Sequence, residues 1–266
     1  MVIDFHTHIF PDKIAGKTIK ALAEVGNVKA FTDGTLDGLK KSMKEQHIDI
    51  SVVLPVVTKP AQFDTVNTFA AQITGKDGII SFGGIHPDTE DYREKLEQIK
   101  ALGLQGIKLH PDYQETYVDD PKQVNVIKYA VSLGLIVIIH AGLDIGLPNP
   151  IHCPPKRAAN MLRQIDDENA KIIFAHMGGF DQWDDVEEYL VGKNIWFDTS
   201  FSLGKINDDQ FVRIVKNHGA DRILFATDSP WDGQKAALDY IKKLDFTEEE
   251  LERILFRNAV MLLGLE

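Results

Sequence analysis

The chain has 266 residues, 44% of them hydrophobic, enough for a single large soluble domain with a substantial core. A formal net charge of −11 and a pI near 5.3 argue against nucleic acid and against an anionic membrane surface as partners, since both need a basic face. One cysteine, Cys153, excludes an intrachain disulfide; with no basic-then-apolar leader at the N-terminus, the expected location is the cytoplasm.

Short runs rich in Val, Ile and Phe predict strands near 2–6, 50–54, 79–84, 104–109, 135–140, 171–176, 194–199 and 222–227. Between them, amphipathic stretches predict helices near 36–47, 61–74, 89–101, 121–133, 154–167, 180–191, 207–218 and 232–243. Asp88-Thr89 and Asn207-Asp208 read as N-caps, and Gly103, Gly134 and Gly219 as helix stops. A last helix near 248–262 opens on Thr247 with Glu250 three residues on, a capping box. The longest loops are expected at 9–35 and 141–153. Eight βα units in one domain spanning 1–266 predict a (β/α)₈ TIM barrel with one extra C-terminal helix. An open doubly wound sheet is the alternative, but it usually carries a Gly-rich phosphate loop after its first strand. Here that position holds His6-Thr7-His8-Ile9-Phe10-Pro11.

In a barrel the chemistry sits at the C-terminal ends of the strands. His6 and His8, His86, Lys108 and His110, His140, His176 and Asp228 all fall there. His6 and His8 are two residues apart in an extended segment, so both rings face one side and can reach one metal ion. Lys108 and His110 share that parity. A polar residue ending an apolar strand is costly unless paired or coordinated. Imidazole and carboxylate are ligands that Zn²⁺ takes, with Mn²⁺, Fe²⁺ or Ni²⁺ as alternatives. His47 and His218 fall near helix ends, where a dipole contact accounts for them.

Six segments carry a family resemblance: Asp4-Phe-His-Thr-His8, Gly84-Ile-His-Pro-Asp88, Gly106-Ile-Lys-Leu-His-Pro111, Ile139-His-Ala-Gly142, Ala175-His-Met-Gly-Gly179 and Ala226-Thr-Asp-Ser-Pro-Trp231. With Arg257-Asn-Ala259 they span nearly the whole chain, which resembles the amidohydrolase superfamily, in particular its amidohydrolase-related branch. The resemblance implies a barrel that uses one or two divalent ions to activate water. It implies His6, His8, His140, His176 and Asp228 at the metal centre. In a one-metal arrangement His6, His8, His140 and Asp228 surround the ion, and His176 is an acid or base beside it. In a two-metal arrangement His140 and His176 hold the second ion, and a carboxylated Lys108 bridges the pair. Lys108 orienting substrate or pairing with a neighbour is the equal alternative.

Asp228 and His176 are thus the candidate catalytic groups, with Asp228 shuttling the water proton to the leaving group. His110, His86 and Arg157 are the candidate substrate contacts, Arg157 as a planar clamp for a carboxylate. Asp112 is open between a site and a loop role, as are Asp198 and Ser200 between substrate contact and loop capping. Hydrolysis of an ester, lactone or amide of a small molecule is the expected reaction. Non-oxidative decarboxylation of an aromatic or unsaturated acid is the runner-up within the same branch, and a non-catalytic metal-binding barrel the third reading. A homodimer is compatible with the fold, though no helix face is apolar enough to name its interface.

Overall fold

The structure, a computed structural model, describes residues 1–165 and 167–265. Nine parallel strand segments form the wall: β1 (Ile3–Thr7), β2 (Ile50–Val53), β3 (Ile79–Ser81), β4 (Gly83–Gly84), β5 (Gly106–Leu109), β6 (Ile136–Ile139), β7 (Ile172–Phe174), β8 (Trp196–Asp198) and β9 (Ile223–Leu224). β3 and β4 are halves of one barrel strand interrupted at Phe82, whose N–H still donates to the Val53 carbonyl at 2.9 Å. The wall closes where Phe5 N–H donates to the Phe225 carbonyl (2.9 Å) and Asp228 N–H to the His6 carbonyl (2.9 Å). The result is a closed (β/α)₈ barrel, and the open-sheet alternative falls.

Alternation along the strands sorts the core into two layers. Ile3, Phe5, Val52, Phe82, Ile136, Ile138, Ile173 and Leu224 fill the barrel interior. Val53, Ile107, Leu109, Val137, Ile139, Ile172 and Phe174 face outward onto the helices. The barrel floor is sealed by Ala259, Leu262 and Leu263 of the last helix.

Among the described residues, eleven α-helices surround the wall: α1 (Asp12–Gly26), α2 (Leu36–Gln46), α3 (Phe63–Ile73), α4 (Tyr92–Ala101), α5 (Pro121–Ser132), α6 (Pro155–Leu162), α7 (Trp183–Tyr189), α8 (Asp208–His218), α9 (Gln234–Ile241), α10 (Glu248–Glu252) and α11 (Asn258–Leu263). The Asn207 side chain caps α8, and Thr247 and Glu250 form the capping box of α10. Three expectations are corrected. Helix α4 starts at Tyr92, because Asp88 turns back on His86 instead of capping it. The last helix is broken by a π-helical turn over Arg253–Arg257. Helix α6 ends at Leu162, short of the expected 167; Asp166, within that expected range, and Glu266 lie outside the described residues.

The largest difference is α1, where a loop was expected at 9–35. Ala15 and Ile19 bury one face of this helix. Ile14, Thr18, Leu22 and Gly26, each four residues from the last, form an adjacent stripe over the barrel mouth. Gly16 in mid-helix and a low overall hydropathy mask this pattern in the sequence.

Candidate metal centre

The C-terminal ends of the strands open into a cavity of about 600 Å³. His6, His8, Lys108, His110, His140, His176 and Asp228 all line it, so seven of the nine expected site residues meet there. His86 and Arg157 do not. The His86 Nδ1 accepts the Asp88 N–H at 3.1 Å, a turn within its own loop. The Arg157 guanidinium donates to Asp119 Oδ1 at 2.6 Å and lies 4.0 Å over the Tyr117 ring, so its charge is already answered. Trp231 reaches the cavity, whereas the Trp183 indole donates from outside to the His176 carbonyl at 3.2 Å. Cys153 is buried, and burial pushes its thiol well above the ordinary range.

Strand parity alone does not bring His6 inward. Ile3 and Phe5 point into the barrel, so strict alternation sends His6 out with Asp4. The pairing of β1 with β2 shifts register between Asp4 and Thr7, and this irregularity re-aims His6. Asp4 stays on the far side, accepting from the Thr227 N–H (2.9 Å) and hydroxyl (2.6 Å) and the Gln234 amide (2.8 Å). It thereby ties β1 to the segment that carries Asp228. Asp228 and His176 both hold left-handed backbones, φ 72° and 58°, a strain of order 1 kcal/mol each.

Hydrogen bonds decide the tautomers. His6 Nδ1–H donates to Asp198 Oδ2 at 2.9 Å, and His8 Nδ1–H to the Leu54 carbonyl at 2.8 Å. Both Nε2 atoms then present lone pairs, 3.1 Å apart, with Asp228 Oδ1 3.3 and 3.2 Å from them. Three lone-pair donors this close repel unless a cation lies among them. Two oriented imidazoles and a carboxylate are the donor set of a small divalent ion, and the Nδ1 contacts are the outer-shell bonds such ligands carry. The residues therefore fit a metal.

Asp198 is the residue that sequence reasoning left undecided and that organises the site. Its Oδ1 accepts the His176 and Ser200 N–H groups, both at 3.0 Å, and the Ser200 hydroxyl. Since that hydroxyl proton is used, His176 donates from Nδ1 to Ser200 Oγ (3.0 Å) and its carbonyl (2.9 Å). The bare His176 Nε2 then faces His140 Nδ1 at 2.9 Å, so this pair of ring nitrogens converges as the His6 and His8 pair does. His140 also lies within a close group with His110 and Asp144.

Electrostatics follow from burial. Burial depresses His6, His110 and His140 well below the ordinary histidine range, so all three are neutral. Lys108, fully buried with Nζ 3.3 Å from His6 Nε2, falls to about 8 by desolvation, held from falling further by Asp198 and Asp228. For Asp228, burial pushes upward, but the surrounding imidazoles, His8 foremost, outweigh it and hold the carboxyl below its usual value. It is ionised at neutral pH.

A family model described as Amidohydrolase matches residues 3–265. "Decarboxylase orsB" of Emericella nidulans is 30% identical over 102 residues, a match covering 36% of this chain and 29% of that protein. Among solved structures, 5-carboxyvanillate decarboxylase from Sphingomonas paucimobilis superposes with TM-score 0.72 at 16% identity, covering 99% of this chain and 98% of that one. Dihydroxybenzoic acid decarboxylase from Polaromonas, solved with manganese and the inhibitor 2-nitroresorcinol, gives TM-score 0.72 at 17% identity, covering 99% and 97%. An amidohydrolase described as putative, from Staphylococcus aureus, gives 0.71 at 19%, covering 99% of each chain. These structures share the fold, and the match over residues 3–265 places this chain in the amidohydrolase family.

Proposed function

We propose that the chain is a metal-dependent, non-oxidative decarboxylase of an aromatic or unsaturated carboxylic acid. This reverses the order of the sequence expectation, which put hydrolysis first. The observation that carries it is the shape of the cavity. Its walls are apolar and aromatic, with Phe10, Val56, Phe69, Leu143, Phe180 and Trp231 among them. Its polar groups gather where His6, His8, Lys108 and Asp228 converge. A planar acid would lay its ring on the apolar wall and its carboxylate against the polar end, where Lys108 and a bound ion would supply positive charge. The decarboxylases among the related proteins support the same choice.

His6, His8 and Asp228 would hold a divalent ion, which would supply Lewis acidity to offset the negative charge of the substrate and of the transition state. The Lys108 amine orients the carboxylate from the barrel axis. Loss of CO₂ breaks a carbon–carbon bond and leaves an electron pair that must take up a proton. Asp228 is placed to carry that proton: it is ionised at rest, accepts a proton from a substrate hydroxyl or water, and returns it to carbon. Apolar walls favour the step, because a charged carboxylate becomes neutral CO₂ in a medium that solvates charge poorly.

The experiment is a substrate panel on Mn²⁺- or Zn²⁺-loaded protein. Hydroxybenzoates and unsaturated dicarboxylates are scored for CO₂ release, lactones and esters for acid release. CO₂ release from an aromatic or unsaturated acid is expected. Acid release from lactones or esters with no CO₂ from any acid would overturn the proposal in favour of hydrolysis.

A further inference from the structure

The cavity is longer than the acid that its histidine-lined end can seat. Two helical stripes line the remainder. On α1, Ile14, Thr18 and Leu22 succeed one another at intervals of four; on α3, Thr65, Val66 and Phe69 share one face in the same manner. These helices follow β1 and β2, which are paired neighbours, so both stripes belong to one side of the barrel mouth. The α1 stripe continues to Gly26, about 18 Å from Ile14 along the helix axis. A volume of about 600 Å³ lies within the roughly 300–1,000 Å³ that holds drug-sized ligands. A single-ring acid seated against His6, His8 and Asp228 therefore leaves the arm along α1 and α3 unfilled.

The arm is largely apolar, and its side chains are incompletely covered. Ile14 is exposed, and Leu22, Val66 and Phe69 are only half-buried. Adjoining apolar side chains left to water mark a place where a ligand binds. Charge decides which kind of ligand. Among the described residues that line the cavity, Lys108 is the only lysine or arginine, and its Nζ sits at the metal end, 3.3 Å from His6 Nε2. The arm thus offers no cation to a second carboxylate or to a phosphate. Asp144, the one acidic residue on the wall besides Asp228, would repel either. An anionic group placed there would lose its hydration with no partner in exchange.

We infer that the substrate is a monocarboxylic acid whose ring or double bond carries a long apolar extension, lodged in the arm along α1 and α3. The inference rests on the decarboxylase reading, which seats the carboxylate by Lys108. The reacting carbon then stays at the histidine-lined end, and the extension points away from it. Contacts to the extension are the same in the ground state and in the transition state. They act on KM and leave kcat almost untouched.

The test is a series of salicylates with a linear alkyl chain para to the carboxylate, from methyl to octyl, scored for CO₂ release on Mn²⁺-loaded protein. Calorimetric titration with the matching alkylbenzoates, which lack the activating hydroxyl, reads binding apart from turnover. Each methylene should lower KM and Kd by up to about fourfold until the arm is full. Thr18→Phe and Thr65→Phe place a ring in the arm and should cut kcat/KM for the octyl acid, relative to the methyl acid, at least about tenfold. That ratio is read within each variant, so a change in the folded fraction cancels. A salicylate with a second carboxylate in place of the chain should bind more weakly than the methyl acid. KM and Kd independent of chain length would overturn the inference, as would a dicarboxylate preferred to the octyl acid or an unaltered ratio in both variants. Chain-dependent binding of the alkylbenzoates with no CO₂ from any acid would leave the arm standing and sink the decarboxylase reading.

Discussion

Gly142→Ala tests how the two histidine-bearing loops are held together. Gly142 follows His140 and has φ +83°, a left-handed backbone that costs a residue with a side chain about 1–2 kcal/mol. The added methyl would also lie 2.1 Å from the Phe180 nitrogen, 2.4 Å from the Gly179 carbonyl carbon and 2.5 Å from the Phe180 oxygen. All three are backbone atoms of the segment after His176, so no side chain can swing aside. The loops must part by about 1 Å, straining the Phe180 N–H to Ala141 carbonyl and Leu143 N–H to Phe180 carbonyl bonds, both 3.0 Å. Each is worth about 1 kcal/mol. The expected loss is about 4 kcal/mol, with a fall in Tm of about 10 °C. Urea unfolding at fixed metal concentration measures it. Gly103→Ala is the control: its φ is +76° but nothing lies within 4 Å, so only the conformational cost of about 1 kcal/mol remains. Equal losses in the two variants would refute the claim that backbone contact fixes the His140–His176 spacing.

Asp228→Asn should keep the fold and part of the metal affinity while lowering turnover by about a thousandfold or more, because amide cannot carry the proton; full activity would remove Asp228 from the mechanism. Lys108→Met should lower stability, since it leaves the buried Asp198 and Asp228 carboxylates without their cation, and should raise KM or lower kcat at least about tenfold; unchanged kinetics would show that Lys108 does not touch substrate. His218 provides a pH prediction away from the cavity. Burial lowers it to about 4, and it accepts the Gly192 N–H while donating to the Ile195 carbonyl. The unfolded chain takes a proton near pH 6.5 that the folded chain refuses, so stability is full above that pH and falls as pH drops towards 4, by up to about 3 kcal/mol. A ring NMR titration placing His218 near 6.5 would contradict this. Chelator treatment should lower Tm, and readdition of Mn²⁺ or Zn²⁺ should restore it, if an ion binds the folded state alone.

The amino-acid sequence by itself determined the barrel, because eight apolar runs buried on both faces alternate with amphipathic stretches at spacings few other folds accept. It also placed His6, His8, Lys108, His110, His140, His176 and Asp228 at one end of that barrel, since strand ends are readable from where apolar runs stop. It misplaced His86 and Arg157, whose strand-end and loop positions look the same as those of true cavity residues; only tertiary structure shows their side chains already satisfied by Asp88 and Asp119. Helix α1 escaped notice because its apolar stripe is divided between core and cavity, so neither share makes a strong pattern. Tertiary structure alone decided the register shift that turns His6 inward, the part of Asp198 in setting two imidazoles, and the pairing of His140 with His176. The physical reason is common to these cases. Which nitrogen bears a proton, and which lone pair is left for a metal, depends on partners up to 192 residues away, and local periodicity carries no record of them.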